Sequence, residues 1–214
     1  MTLEKIKQLP IIGILRGVGE GHIDQLTDAV IASGLQVIEI TMNTDNATDL
    51  IRKMIALAGD KLIVGAGTVL KTSELYDALD AGAKFIVSPV VSEDVIEFCY
   101  MNNVPVFPGA LSPTEIYKAW QSGATMVKVF PASLFGPKYI KEVKAPLNKV
   151  ELMAVGGISK ENLADYFSMG ASAVAFGASI FKKELMEKGN FRKITSGISE
   201  LINAYQNWEE QNKS

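Results

Sequence analysis

The sequence predicts an α/β fold, a (β/α)8 TIM barrel forming a single domain over residues 1–214, and three observations carry that expectation. Eight short apolar runs rich in β-branched residues recur, at 10–16, 37–41, 62–66, 85–88, 104–108, 126–130, 151–155 and 173–176, with helical patterns between them. Strands that are apolar on both faces and alternate with helices are parallel βαβ units, and eight such units suit a closed barrel. Several helical patterns end in glycine just before the next run, at Gly34, Gly82, Gly123 and Gly170, so the turns back to the sheet are short. The length of 214 residues also suits one barrel. An open doubly wound sheet is the alternative, but no Gly-x-Gly-x-x-Gly turn follows the first run.

Run 10–16 ends in Arg16-Gly17, and the amphipathic stretch 23–33 behind it reads as a barrel helix. Run 37–41 alternates Glu39 and Thr41 with Ile38 and Ile40, and helix 48–57 follows. Run 62–66 leads through Gly67-Thr68 to helix 74–81, and run 85–88 through Pro89 to helix 93–101. Cys99 lies in that last helix and reads as a small buried hydrophobe rather than a nucleophile. After run 104–108, Ser112-Pro113-Thr114-Glu115 offers a serine N-cap, proline at the first helical position and glutamate at the third. Run 126–130 holds Lys128; run 151–155 is followed by Gly156-Gly157, and run 173–176 by Gly177-Ala178-Ser179. The tail 191–208 reads as a long terminal helix on the outside of the barrel.

Composition narrows the function. A net charge of −3 and no Lys/Arg cluster argue against a nucleic-acid partner. No apolar stretch approaches the ~18 residues of a membrane span, and the start at Met1-Thr2-Leu3 has no signal-peptide pattern, so a cytoplasmic protein is expected. The single histidine, His22, opens a helix, where a solvated position is expected; a Ser-His-Asp triad and a histidine-based metal site are thereby disfavoured. Acid–base work must then use carboxylates, lysine, tyrosine or water.

Lys128 is the residue that asks for chemistry. It interrupts Met126-Val127-Lys128-Val129-Phe130, a run otherwise suited to a buried strand. Lysine is almost never buried without a partner or a task. Low-dielectric surroundings disfavour the ammonium, and a partly neutral amine can condense with a carbonyl. A structural lysine paired to a carboxylate is the alternative. Barrel strands point alternate residues inward. With Val127 and Val129 outward Lys128 faces in, and with Ile38 and Ile40 outward so does Glu39. A buried ion pair is weak evidence of stability; an acid–base and nucleophile couple is the sharper reading. Arg16 could clamp a carboxylate. The glycines and Ser179 after the seventh and eighth runs stand where barrels commonly bind phosphate.

Ile38-Glu39-Ile40-Thr41, Val64-Gly65-Ala66-Gly67-Thr68-Val69, Ile86-Val87-Ser88-Pro89, Pro108-Gly109, Lys128-Val129-Phe130-Pro131-Ala132 and Gly156-Gly157-Ile158 occur in that order over nearly the whole chain. Together they resemble the class I 2-keto-3-deoxy-6-phosphogluconate and 4-hydroxy-2-oxoglutarate aldolases. The resemblance implies that Lys128 forms a Schiff base with the keto carbon and that Glu39 is the general acid/base. It further implies that Arg16, Gly67, Thr68 and Pro89 hold the pyruvate end and that Phe130 packs beside the imine. Gly156, Gly157, Gly177 and Ser179 would receive the phosphate. The imine is the electron sink, so no metal or other cofactor is implied. The partner would be a small phosphorylated keto acid, and the assembly a homotrimer. Asn43 stands where many gluconate-type members have arginine, and Val155 where they often carry threonine before the glycine pair. With Asn43 there, carboxylate binding would rest on Arg16 or backbone donors; Ala154-Val155-Gly156-Gly157, Leu9-Pro10-Ile11-Ile12-Gly13-Ile14-Leu15-Arg16-Gly17 and Phe130-Pro131-Ala132-Ser133-Leu134-Phe135-Gly136-Pro137 look closer to the phosphogalactonate branch. Activity on 4-hydroxy-2-oxoglutarate, another phosphate-binding barrel enzyme (an isomerase or cyclase), and a non-catalytic barrel are the alternatives.

Overall fold

The computed structural model describes residues 2–212; Met1, Lys213 and Ser214, at the ends of the predicted 1–214 domain, lie outside the described residues. Nine parallel strands form a nearly closed barrel: β1 (Ile11–Leu15), β2 (Val37–Thr41), β3 (Ile63–Gly67), β4 (Ile86–Val87), β5 (Val106–Phe107), β6 (Gly109–Ala110), β7 (Val127–Val129), β8 (Leu152–Val155) and β9 (Ala173–Phe176). Their order is β5-β4-β3-β2-β1-β9-β8-β7-β6. The two end strands, β5 and β6, are separated only by Pro108, so one pass of chain meets both edges. Closure shows in three hydrogen bonds: the N–H of Thr125 donates to Val106 O (3.0 Å), that of Lys128 to Pro108 O (2.8 Å) and that of Phe130 to Ala110 O (3.2 Å).

Each of the eight expected runs carries a strand; the ninth, β6, lies just beyond run 104–108 and continues the fifth pass after a break at Pro108. Proline has no N–H to give the ladder. Just beyond it, Gly109 lies so close to Pro89 that a Cβ there would strike the Pro89 backbone.

Helices α2 (Ile23–Ala32), α3 (Ala47–Ala58), α4 (Thr72–Asp80), α5 (Glu93–Met101), α6 (Pro113–Gln121), α7 (Pro137–Lys144) and α8 (Leu163–Ser168) surround the barrel, and α9 (Lys183–Glu187) precedes the terminal α10 (Phe191–Asn212). The capping box at Ser112 closes in both directions: Glu115 N–H donates to Ser112 Oγ (3.3 Å) and Ser112 N–H to Glu115 Oε2 (2.8 Å). Helix α10 packs outside, its Thr195 hydroxyl donating to Ala29 O of α2 (3.1 Å) and its Trp208 Nε1 to Ser168 Oγ of α8 (2.8 Å).

Two apolar clusters result. Ile38, Ile40, Val127 and Val129 join the large one between barrel and helices, while Ile12, Val37, Ile63, Phe85, Phe107 and Met153 fill the barrel itself. Gly65 makes room for the Phe85 ring within it. Helix α1 (Thr2–Gln8), which the sequence reading did not mark, adds Ile6 to the inner cluster. Cys99 is fully buried in the outer cluster, and burial pushes its thiol up to about 12, as a core cysteine should behave. His22 is half-buried rather than solvated, because the start of α10 brings Phe191 to 6.1 Å between ring centroids.

Candidate active site

The alternation expected of β7 holds. Val127 and Val129 turn outward, and Lys128 faces in with only 5% of its surface exposed. Burial holds its amine below the ordinary lysine range; the neighbouring Arg16 guanidinium adds to this, and Glu39 opposes it. Glu39 on β2 is 2% exposed. Burial raises its carboxyl above the usual range, against the pull of Lys128 and Arg16. The two groups feel each other through space, yet among the described residues no ion pair or side-chain hydrogen bond joins them. Both shifts favour the uncharged forms, a free amine beside a carboxyl. The Lys128 Nζ lies 5.1 Å from the centroid of the Phe130 ring, two residues on along the strand.

The strand ends surround this pair. Gly67, at the end of β3, has no room for a side chain, since a Cβ there would collide with the Glu39 carboxylate. Thr68 follows with φ +56°, a left-handed conformation unusual for a β-branched residue, and its Oγ1 accepts from Arg16 Nη2 at 3.4 Å. After β8, Gly156 (φ +102°) and Gly157 (φ +73°) take conformations that side chains disfavour. Asn162 braces this turn: its Nδ2 donates to Gly157 O (2.8 Å), and its Oδ1 accepts from Ser159 N–H (2.9 Å). Turns of this kind offer backbone N–H groups to an anion. The Ser179 hydroxyl, after β9, donates to Ile158 O (3.4 Å).

A cavity of about 340 Å³ opens over these ends. Its wall includes Arg16, Lys128, Phe130, Val155, Gly156, Gly157, Gly177 and Ser179. Glu39, Gly67, Thr68 and Pro89 are not on that wall: Glu39 and Gly67 are buried together, Thr68 connects through Arg16, and Pro89 is half-buried against Gly109. Ile14, Ile158, Ala175, Phe176 and Ala178 also line the cavity and were not singled out from the sequence. Inward alternation could have marked Ile14 and Ala175; their residue types are those of any core. Among the described residues no group of three His, Cys, Asp or Glu side chains could hold a metal ion. No helix among them is long and apolar enough to cross a membrane.

Comparison with known proteins places the chain in a family. The family model for KDPG and KHG aldolases matches residues 3–197. The 2-dehydro-3-deoxy-6-phosphogalactonate aldolase of Escherichia coli is 35% identical over 82% of this chain and 86% of its own length. The 2-dehydro-3-deoxy-phosphogluconate aldolase of Haemophilus influenzae is 34% identical over 94% of both. Among solved structures, the native KDPGal structure superposes with a TM-score of 0.89 at 31% identity, covering 95% of this chain and 97% of that one. A family model that spans most of the chain, relatives above 30% identity and a neighbour of the same fold show that the chain belongs to the KDPG and KHG aldolase family: it is an aldolase, a carbon–carbon lyase.

Proposed function

We propose that this aldolase works through a Schiff base on Lys128 and cleaves a 2-keto-3-deoxy-6-phospho sugar acid of the galactonate type to pyruvate and glyceraldehyde 3-phosphate. The observation that carries the reading is the desolvated Lys128 amine, turned into the cavity and coupled to Glu39 and Arg16. In this scheme the free amine adds to the C2 carbonyl and the Glu39 carboxyl gives up its proton as water leaves, so a protonated imine forms opposite a Glu39 carboxylate. Electrons of the C3–C4 bond flow into it as Glu39, through a water, takes the proton of the C4 hydroxyl. The aldehyde departs, the enamine is protonated at C3, and hydrolysis frees pyruvate and Lys128. The imine charge, once formed, draws the raised Glu39 carboxyl toward its ionised form. Arg16, Thr68, Gly67 and Pro89 serve the carboxylate end, Phe130 flanks the imine, and Gly156, Gly157, Gly177 and Ser179 serve the phosphate. The imine supplies the electron sink that a Lewis acid gives other aldolases.

The galactonate epimer is favoured by Val155, which stands where gluconate-type members often carry a threonine hydroxyl. A missing polar contact beside the reacting carbon discriminates strongly. Assays of both epimers should give the higher kcat/KM for the galactonate type; a large preference for the gluconate epimer would reverse that assignment. Trapping with pyruvate and borohydride should add stable mass at Lys128, and the folded protein remaining unmodified would remove the Schiff base.

The chain is further proposed to act as one catalytic domain, in the cytoplasm, as a homotrimer. An apolar surface on neighbouring helices supports the assembly: Tyr76 of α4, Tyr100 (65% exposed) and Met101 (77%) of α5, and Tyr117 of α6. These helices are tied together by the Tyr76–Phe98 edge contact (5.1 Å) and the Lys118–Glu93 pair (2.5 Å). Light scattering should give the mass of three chains, and Tyr100→Asp with Met101→Asp should give one. A wild-type monomer refutes the trimer.

A further inference from the structure

We propose that Thr44 is a positioning residue whose hydroxyl, by clamping the Arg16–Gly17 turn, sets the Arg16 guanidinium over the cavity for the substrate's carboxylate. The proposal rests on the reading of Arg16 as the pyruvate-end group. Its basis is a tie between the loops after β1 and β2. The Gly17 N–H donates to Thr44 Oγ1 at 3.0 Å, across 27 residues of sequence. The same Oγ1 lies 3.1 Å from Thr41 Oγ1, and one hydroxyl donates to the other. Thr44 N–H donates to Thr41 O (2.9 Å), closing a tight turn at the end of β2. Thr41 and Thr44 are both buried, so the hydroxyl that receives Gly17 is fixed by the strand that also carries Glu39.

Arg16 needs such an anchor. Its side chain is exposed, and its one side-chain hydrogen bond among the described residues is the 3.4 Å donation to Thr68, at the long limit of a hydrogen bond. Arginine's long side chain has many rotamers to lose, so a wandering backbone would add to an already mobile head. Gly17 (φ +65°) has no side chain with which to hold the turn itself. Asn43, the residue before Thr44, is exposed and brings no second guanidinium. Among the described residues, Arg16 and Lys128 are the only cationic side chains on the cavity wall. Where Arg16 sits is therefore decided by its backbone, and Thr44 Oγ1 is the group on β2's loop that holds that backbone.

Thr44→Val keeps the shape and removes the hydroxyl; Gly17 is exposed, so water can take its N–H and the barrel should fold. The readout is the pyruvate concentration for half-maximal borohydride trapping at Lys128. Thr44→Val should raise it by about 10-fold while kcat for cleavage falls by less than ~3-fold, and Thr44→Ser should restore both. In an Arg16→Gln background Thr44→Val should change half-saturation by less than ~2-fold, because the residue it positions is gone. Half-saturation unchanged in Thr44→Val, or a loss that persists in full without Arg16, overturns the proposal. Wild-type protein that traps no pyruvate overturns instead the Schiff-base reading beneath it. Should Thr44→Val not fold, Thr41→Val carries the test: it frees the hydroxyl on one side, and a smaller shift in the same direction is expected. No shift there is equally fatal.

Discussion

Lys128→Met should leave a folded barrel that forms no adduct with pyruvate and borohydride. Turnover should drop by on the order of 10⁴-fold or more, as when a covalent nucleophile is removed. The stability of this variant separates a chemical lysine from a structural one. Because burial lowers the folded-state pKa of the amine, its favourable contribution is complete only above the unfolded lysine value and is lost as pH falls through the lowered folded one. At neutral pH the wild-type protein therefore carries a burial penalty that methionine relieves. Melting of Lys128→Met at pH 7 should occur at or above the wild-type temperature, with the difference narrowing near pH 10. A melt well below wild type at pH 7 would mean that Lys128 serves the fold as a partner to Glu39.

Glu39→Gln should separate the two halves of the reaction. The Lys128 amine remains, so trapping with pyruvate should still succeed. Cleavage should slow by ~10²-fold or more, the usual share of a general acid/base. Gly67→Ala should imitate this loss without touching an ionisable group, because its methyl would occupy the place of the Glu39 carboxylate. Steady-state kcat for both variants checks the pair. Unchanged turnover in Glu39→Gln would take the residue out of the mechanism, and unchanged turnover in Gly67→Ala would mean that the carboxylate can move without consequence.

Several parts of this molecule were legible because they depend on local chemistry. Strand periodicity turned Lys128 and Glu39 inward as soon as their valine and isoleucine neighbours were assigned to the outer core. Glycine after helical patterns marked the returns to the sheet, and the capping box at Ser112 formed as its spacing required. Other parts were hidden. Run 104–108 holds its one strand, but its continuation past Pro108 as β6, where Gly109 closely approaches Pro89, was not marked by any apolar pattern. Helix α1 is too short and too charged to declare itself, and only packing shows why Ile6 is apolar. Ile14, Ala175 and Ile158 line the cavity with the residue types of any interior, so pattern could not separate wall from core.

The sequence by itself determined the order of strands and helices, the direction in which each strand points its side chains, and the identity of the buried amine and acid. These follow from covalent spacing and from the preference of apolar groups for one another, which act over a few residues. Only the tertiary structure decided that the amine and acid are both buried with no ion pair between them among the described residues, that Gly67 clears space for Glu39, and that Thr44 grips the turn bearing Arg16. Each of these joins segments far apart in the chain, and a hydrogen bond or a steric limit is set by distances of a few tenths of an ångström that arise only when the barrel closes.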